Sequence, residues 1–156
     1  MAETTSPIQH EHWIRLCINL AQAAKDRGDG PYGAILVYEG NQILQAENTT
    51  QSEHDVTRHA EMNLINQAYR QLDPVVLRQC TLYASTEPCA MCAGAIYWAG
   101  IPRVVFGCSV RRQVAILNGG LAVDSSMIFD RGNRHITVIG PILEDEAAKV
   151  LARTTE

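Results

Sequence analysis

The sequence lacks the two features that mark membrane and exported proteins. No apolar run approaches the roughly 20 residues that a helix needs to cross a bilayer. The N-terminal stretch MAETTSPIQHEH is polar and does not have the charged-then-apolar layout of a signal peptide. We therefore expect a cytoplasmic protein that has no membrane partner.

An excess of positive charge is also missing. Thirteen Lys and Arg residues against 17 Asp and Glu give a formal net charge of −4 and a pI near 5.7. Because nucleic-acid partners usually require a basic surface, this balance counts against them and favours a small-molecule partner. The basic run SVRRQ at 109–113 is more typical of a solvated surface than of a phosphate-binding patch.

Internal repeats, low-complexity tracts and interdomain linkers are absent as well. The 156 residues are therefore expected to form one domain, 1–156, that is large enough to bury its own core. The five cysteines should stay reduced in the cytoplasm. Metal binding or catalysis is thus a better expectation for them than a disulfide framework.

What the chain does contain is an alternation of helical and strand patterns. Helices are predicted over 12–27, 60–72, 88–100 and 141–154, and strands over 34–38, 42–48, 80–86, 103–110 and 135–140. Region 111–134 shows no clear pattern. Interleaved helices and strands predict an α/β fold, a three-layer α/β/α sandwich. The hairpin formed by the first two strands makes the central five-stranded sheet mixed.

Three local signals predict where the helices begin and end. The breaker Gly28–Asp29–Gly30 should end the first helix. Asp55 or Thr57 is expected to cap the helix at 60–72. Pro88 is well placed as the first residue of the helix that follows the third strand.

The chemistry is indicated by two short motifs at predicted helix starts. Cys89 and Cys92, at positions i and i+3, lie on one helix face, where they can share a metal ion. A lone C-x-x-C also fits a redox pair or two unrelated buried cysteines. His59, at the start of another helix, would add a nitrogen ligand, and three protein ligands leave the fourth position of a catalytic zinc open to water. The side chain of Glu61, two residues after His59, is expected to point in a different direction from that of His59. It would then not bind the metal itself and could transfer protons beside it.

The combined pattern H-x-E … P-C-x-x-C is that of zinc nucleobase deaminases. "HAE" and "EPCAMCAGAI", and the chain from about Trp13 to Gly107, resemble the cytidine deaminase superfamily. The branch of guanine, cytosine and tRNA adenosine deaminases is the most similar one. The resemblance implies a cytidine deaminase-like fold and one zinc ion per subunit. It makes His59, Cys89 and Cys92 the zinc ligands.

The same resemblance implies the remaining roles. Glu61 becomes the proton shuttle, Asn48 hydrogen-bonds the base, and the backbone of Ala60 lines the pocket. In the implied reaction, water activated by the metal adds to the ring carbon that bears the exocyclic amine. Glu61 then protonates the neighbouring ring nitrogen and the amine, and ammonia leaves.

The substrate is indicated by two further stretches. GPYGAILV at 30–37 and GAIYWA at 94–99 resemble guanine deaminases, so Tyr32 and Trp98 are candidate pocket residues and conversion of guanine to xanthine is the first expectation. Each aromatic could instead be a core residue. Guanine deaminases have a stretch with paired aspartates, and the nearest match here is Asp124-Ser125-Ser126, which has only one acidic residue. If it is out of register, another purine, a pyrimidine or a triazine becomes the substrate.

Two alternative functions remain open from the sequence. IPRVVFG and GPILEDEAAKVL resemble the ends of tRNA adenosine deaminases, although a basic tail for the anticodon is missing. A non-catalytic, zinc-stabilised binding module would need a fourth ligand, with Cys80 and Cys108 as candidates. Relatives also lead us to expect a homodimer in which neighbouring subunits close the pocket.

Overall fold

A computed structural model describes residues 5–153, which form eight helices and five strands. The helices are α1 (Pro7–Arg27), α2 (Thr50–Glu53), α3 (Ala60–Gln71), α4 (Pro74–Leu77), α5 (Ala90–Ala99), α6 (Val110–Leu117), α7 (Ser125–Phe129) and α8 (Glu144–Leu151). The strands are β1 (Gly33–Tyr38), β2 (Asn41–Glu47), β3 (Thr81–Thr86), β4 (Arg103–Cys108) and β5 (Thr137–Ile139). No helix among these residues combines the length and apolar character that crossing a membrane requires.

The five strands form one mixed sheet in the order β2-β1-β3-β4-β5. β1 is antiparallel to both β2 and β3, whereas β3, β4 and β5 run parallel. Antiparallel neighbours can be joined by a tight turn, and parallel ones need a crossover, which α5 supplies between β3 and β4. The prediction of a mixed five-stranded sheet inside an α/β/α sandwich is confirmed.

Alternate residues of the strands point to opposite layers of helices. On one face Leu36, Leu82 and Val104 pack against α3, α5 and α7. On the other face Tyr83 and Val105 pack against α1, and α8 contacts β4 beside it. Both faces of the sheet are therefore buried. That residues 1–156 form one domain stays a prediction.

Helix α1 begins earlier than the apolar spacing predicted. It starts at Pro7 and not at residue 12, because Ser6 and Gln9 form a capping box around the first turn, with Pro7 as the first helical residue. The predicted end is confirmed, since Gly28 adopts a left-handed conformation (φ 95°) and its N–H donates to the carbonyls of Ala24 and Lys25. The missed start had a sequence signal of its own.

Helix α3 begins at Ala60 as predicted but has a different N-cap, and α5 begins two residues later than predicted. His59 occupies the N-cap position of α3, so neither Asp55 nor Thr57 caps it. Asp55 instead accepts the N–H and hydroxyl of Thr57, which closes a local turn. Cys89 occupies the N-cap position of α5, and Pro88 precedes the helix. Both metal-ligand candidates at these positions thus stand in extended backbone just outside a helix.

The region 111–134, which had no clear pattern, contains most of α6 and all of α7. Ser109 caps α6, since its hydroxyl accepts the N–H of Arg112, and Asn118 ends it in a left-handed conformation. Two short helices, α2 and α4, were likewise not predicted. A four- or five-residue helix has too few turns to show a 3.6-residue apolar repeat.

Candidate active site

The N-termini of α3 and α5 bring three candidate ligands together. His59 stands at the N-cap of α3 and Cys89 at the N-cap of α5, with Cys92 in the first turn of α5. The two helices pack side by side on the same face of the sheet. One ligand atom from each of these residues lies within 4.8 Å of the other two, which makes the group a possible metal site.

The spacing of these atoms fits a tetrahedral zinc ion. Nδ1 of His59 lies 3.6 Å from Sγ of Cys89 and 3.6 Å from Sγ of Cys92. Zn–S bonds of about 2.3 Å and Zn–N bonds of about 2.1 Å at tetrahedral angles place nitrogen and sulfur about 3.6 Å apart. Nδ1 is therefore the nitrogen of His59 that can bind the metal, and the donor set fits zinc.

The electrostatics of the two cysteines favour a cation between them. A hydrogen bond with Cys92 and a weaker one with His59 lower the pKa of Cys89 to about 4. The same contact with Cys89, together with burial, raises the pKa of Cys92. One thiolate thus forms readily while the second is opposed by the charge of the first. A divalent ion would remove that opposition and hold both sulfurs as thiolates.

Glu61 lies beside the sulfurs in the first turn of α3. Its residue is 5% exposed, and burial raises the pKa of the carboxyl. The nearby Cys92 opposes this rise in the pKa of Glu61 but does not outweigh the burial. Glu61 is therefore close enough to serve a molecule bound at the metal while it remains outside the three-residue ligand group. A carboxylate with a raised pKa is suited to accept and return a proton.

Asn48 is fixed by its side-chain oxygen. The residue is 3% exposed, and Oδ1 accepts from the N–H of Gly30 at 3.1 Å, the N–H of Thr50 at 3.0 Å and the hydroxyl of Thr50 at 2.9 Å. Its N–H donates to the carbonyl of Tyr32 at 3.1 Å. These bonds orient the amide, and the Nδ2 group is left to donate to a ligand.

Tyr32 and Ala60 flank the same region. Ala60 is fully buried as the first residue of α3, between His59 and Glu61. The hydroxyl of Tyr32 accepts from Nε2 of Gln113 at 2.8 Å. Burial and then the charge of Glu61 raise the pKa of Tyr32 to about 12. Gln113 was not singled out from the sequence because it falls in the region without a clear helical pattern.

Trp98 and Asp124, the two other residues predicted to bind the substrate, are exposed or engaged in an ion pair. Trp98 is 80% exposed, so the core position that was its alternative role is wrong. It stands six residues after Cys92, about 9 Å further along the helix axis. Both oxygens of Asp124 accept from Arg111, with Nη2–Oδ2 and Nε–Oδ1 distances of 2.8 and 3.2 Å.

The closed structural zinc site receives no support. Cys80 and Cys108 are fully buried, and neither belongs to the ligand group. The thiol of Cys80 donates to the carbonyl of Val76, and that of Cys108 donates to the carbonyl of Ser109. All five cysteines lie within the described residues, and none of them is in a disulfide.

Comparison with known proteins agrees with this geometry. Residues 7–108 match the cytidine and deoxycytidylate deaminase zinc-binding region. The chain is 38% identical over 143 residues to a probable cytosine deaminase of Schizosaccharomyces pombe (86% of this chain, 85% of that protein). It is 40% identical over 100 residues to a guanine deaminase of Bacillus subtilis (64% of each).

A solved structure from a study of A-to-I editing by tRNA:A34 deaminases is similar as well. It aligns with a TM-score of 0.71 at 29% identity, over 89% of this chain and 98% of that one. The relatives thus share the fold and hydrolytic deamination but differ in substrate. The chain is a zinc-dependent hydrolase that deaminates a nucleobase or nucleoside, and it belongs to the family of cytidine and deoxycytidylate deaminases with this zinc-binding region.

Proposed function

We propose that the substrate is a free aminated base and that guanine, converted to xanthine, is the principal one. The spacing of one histidine nitrogen and two cysteine sulfurs around a common point, with a buried carboxylate beside it, supports the deamination chemistry. Guanine is favoured because residues 30–37 and 94–99 resemble guanine deaminases and the chain is 40% identical over 100 residues to one of them. Four residues then share the chemistry: His59, Cys89 and Cys92 hold one zinc, and Glu61 moves protons.

Zinc held there would supply a Lewis acid that lowers the pKa of a water molecule to about 7. Glu61 would take one proton from the attacking water, whose oxygen adds to the amine-bearing carbon, and deliver it to the neighbouring ring nitrogen. Glu61 would then take the proton of the new hydroxyl group and pass it to the amine, so that the C–N bond breaks, ammonia leaves and a keto group remains. Its burial keeps competing water away from the carboxylate during both transfers.

Binding of the base is assigned to groups around the metal. The fixed amide of Asn48 donates from Nδ2 to an acceptor on the ring, and the backbone of Ala60 lines the pocket. Tyr32 lies against the base on the side of Gln113. Asp124 is assigned to hydrogen-bond the edge of the ring that lies away from the metal. For this, one of its oxygens must give up its bond to Arg111.

Cytosine is the second candidate because the similarity to the S. pombe protein extends over most of both chains. An anticodon loop is disfavoured by the net charge of −4, since phosphates require cationic partners. Arg111 and Arg112, the two arginines of the basic run, are paired with Asp124 and Asp145. These pairs reduce the positive charge that the run could offer to RNA.

The deciding experiment measures ammonia release from guanine, adenine, cytosine, their nucleosides, triazines and an anticodon stem-loop under identical conditions. We expect guanine to give the highest kcat/KM. Cytosine as the best substrate would replace guanine and retain the free-base proposal. Preference for the stem-loop would overturn that proposal. No ammonia from any compound, with zinc bound, would leave a metal-binding module.

We further propose that the protein acts as a homodimer. Tyr69, Trp98 and Met127 are 63%, 80% and 59% exposed, and they lie on α3, α5 and α7, the three helices that cover one face of the sheet. Large apolar side chains exposed on one layer are typical of an interaction surface. A second copy covering Trp98 would bring this side chain to the edge of a pocket, as its expected role requires.

A further inference from the structure

Glu87 is a buried acid with no role in the reaction described above. It follows β3 and directly precedes Pro88 and Cys89, so it is part of the loop that carries the ligands. The residue is 8% exposed. Its N–H donates to the carbonyl of Cys108 at 2.7 Å, which ties this loop to the end of β4.

The carboxylate of Glu87 joins two separate helices to that loop. Oε1 accepts the N–H of Val110, the first residue of α6, at 3.0 Å. Oε2 accepts the N–H of Ser125, the first residue of α7, at 2.7 Å and its hydroxyl at 2.9 Å. Ser125 is fully buried. Both oxygens therefore have partners, and without the carboxylate three buried donors would lose their acceptor.

Helix α6 links Glu87 to the proposed substrate pocket. Gln113, one turn after Val110, donates to the hydroxyl of Tyr32. Tyr32 in turn accepts the N–H of Asn48 through its carbonyl. A continuous path of hydrogen bonds and one helical turn thus runs from Glu87 to the two residues that would contact the base.

We propose that Glu87 is a positioning residue that fixes residues 109–129 against the ligand loop, so that Tyr32 and Asn48 stand at a set distance from the metal. A free aminated base is then bound in a gap whose width Glu87 determines. The inference rests on the proposed function in taking these two residues as base contacts. The joining of two helices to the loop by Glu87 does not depend on the substrate.

Glu87→Gln is the appropriate variant because it keeps the shape of the side chain. An amide has one acceptor oxygen, and its NH2 group would face a backbone N–H, so one of the two helices loses its bond. Glu144→Gln is the matched control. Glu144 accepts the N–H of Ser109 at 2.9 Å, at the start of the same helix α6, but it lies on α8 and is not part of the ligand loop.

The first measurement is steady-state kinetics with the best base from the panel, alongside zinc content. For Glu87→Gln we expect KM to rise at least tenfold, kcat to change less than threefold and one zinc to remain per chain. Glu144→Gln should leave KM within twofold. Unchanged KM with a lower melting temperature would reduce Glu87 to a structural residue. Zinc loss in proportion to activity would overturn the proposal, because Glu87 would then serve the ligands alone.

A second measurement needs no substrate. Hydrogen exchange in Glu87→Gln should be faster in peptides that cover 109–129, whereas Glu144→Gln should leave 124–129 unchanged. If no base is deaminated by the wild type, the proposed function fails while this result still tests the joining of the helices. Equal exchange in both variants would overturn it. Ser125→Ala, which removes one of the three donors, should show a smaller change of the same kind if Glu87→Gln does not fold.

Discussion

Asn48 and Gly30 face each other so closely that the N–H of Gly30 donates to Oδ1 of Asn48 at 3.1 Å, while a Cβ on Gly30 would lie 3.0 Å from Cγ of Asn48. This bond directs the oxygen of the Asn48 amide towards the protein and leaves its nitrogen for the substrate. Two substitutions separate the structural role of the oxygen from the substrate-binding role of the nitrogen.

Asn48→Asp keeps an acceptor for Gly30 and Thr50 but removes the Nδ2 donor. We expect stability close to that of the wild type and a loss of kcat/KM of about 10- to 100-fold, the worth of one hydrogen bond to a substrate at about 1–3 kcal/mol. Asn48→Ala leaves three donors without an acceptor and should also lower the free energy of unfolding by about 1–3 kcal/mol. Urea denaturation and kinetics on both variants check this. Equal kinetics in Asn48→Asp and wild type would remove the residue from base binding.

Zinc content distinguishes the ligand cysteines from the other buried ones. Cys89→Ala or Cys92→Ala removes one of three protein ligands and should reduce zinc well below one per chain by atomic absorption. Cys80→Ala and Cys108→Ala are matched controls, since each removes a buried thiol outside the ligand group, and both should keep their zinc. Full zinc occupancy in both Cys89 and Cys92 variants would exclude them as ligands.

Glu61→Gln tests the proton shuttle. The amide is nearly isosteric with the carboxylate but cannot take up a proton, so turnover should fall by about 10²- to 10⁴-fold while zinc remains bound. Turnover per bound zinc is the quantity to compare. A variant with near-normal turnover would end the role assigned to Glu61, and one that loses zinc would indicate that Glu61 supports the ligands.

The residues of this site were predictable because they follow local sequence spacing. His59, Glu61, Cys89 and Cys92 belong to two short motifs, and each motif lies at the start of one helix. Their meeting required only that the two helices pack side by side. The spacing of C-x-x-C alone also fitted a redox pair or two unrelated buried cysteines, and the resemblance of the combined motif to zinc deaminases decided for a metal site.

The surroundings of the site were less predictable because they depend on contacts distant in sequence. Gln113 meets Tyr32 across 81 residues, and Glu87 meets Ser125 across 38. Neither pair leaves a periodic pattern, and the helix that carries Ser125 has five residues. Trp98 shows the same limit, since an apolar residue in a helix is equally compatible with a core and with an interface.

The stability of the loop that carries Asn48 should depend on pH because of Asp29. The carboxylate oxygens of Asp29 accept hydrogen bonds from the N–H groups of Gln51 and Ser52, from the hydroxyl of Ser52 and from Nε of Arg27. The Ser52 hydroxyl contributes most to holding the pKa of Asp29 well below its usual range. A lowered pKa in the folded state stabilises the protein above the unfolded value, about 3.9, and this contribution is lost as pH falls towards the folded value.

Asp29→Asn should therefore be less stable than the wild type at pH 7, and the difference should narrow as pH falls below about 4. Urea denaturation across this range measures it. Asp26→Asn, at an exposed aspartate on α1, controls for the change in net charge. A constant difference at every pH would mean that the introduced amide costs stability through its shape and not through the lost charge.

Trp98 supplies the test of the proposed dimer. A tryptophan that is 80% exposed in one chain would be a central contact if a second chain covered it, and truncation of such contacts costs about 2 kcal/mol or more. Because both chains of the homodimer carry the change, Trp98→Ala removes two such contacts, about 4 kcal/mol, and should raise the dimer dissociation constant by about 1,000-fold in sedimentation equilibrium. Ile8→Ala is the control, because Ile8 is 79% exposed on α1, in the opposite layer of the sandwich. If Trp98 also borders the pocket, the KM of Trp98→Ala should rise as the fraction of monomer rises. High protein concentration should lower this KM only in part, because association of the chains does not replace the missing indole ring. Equal dissociation constants for the Trp98 and Ile8 variants would place the interface elsewhere.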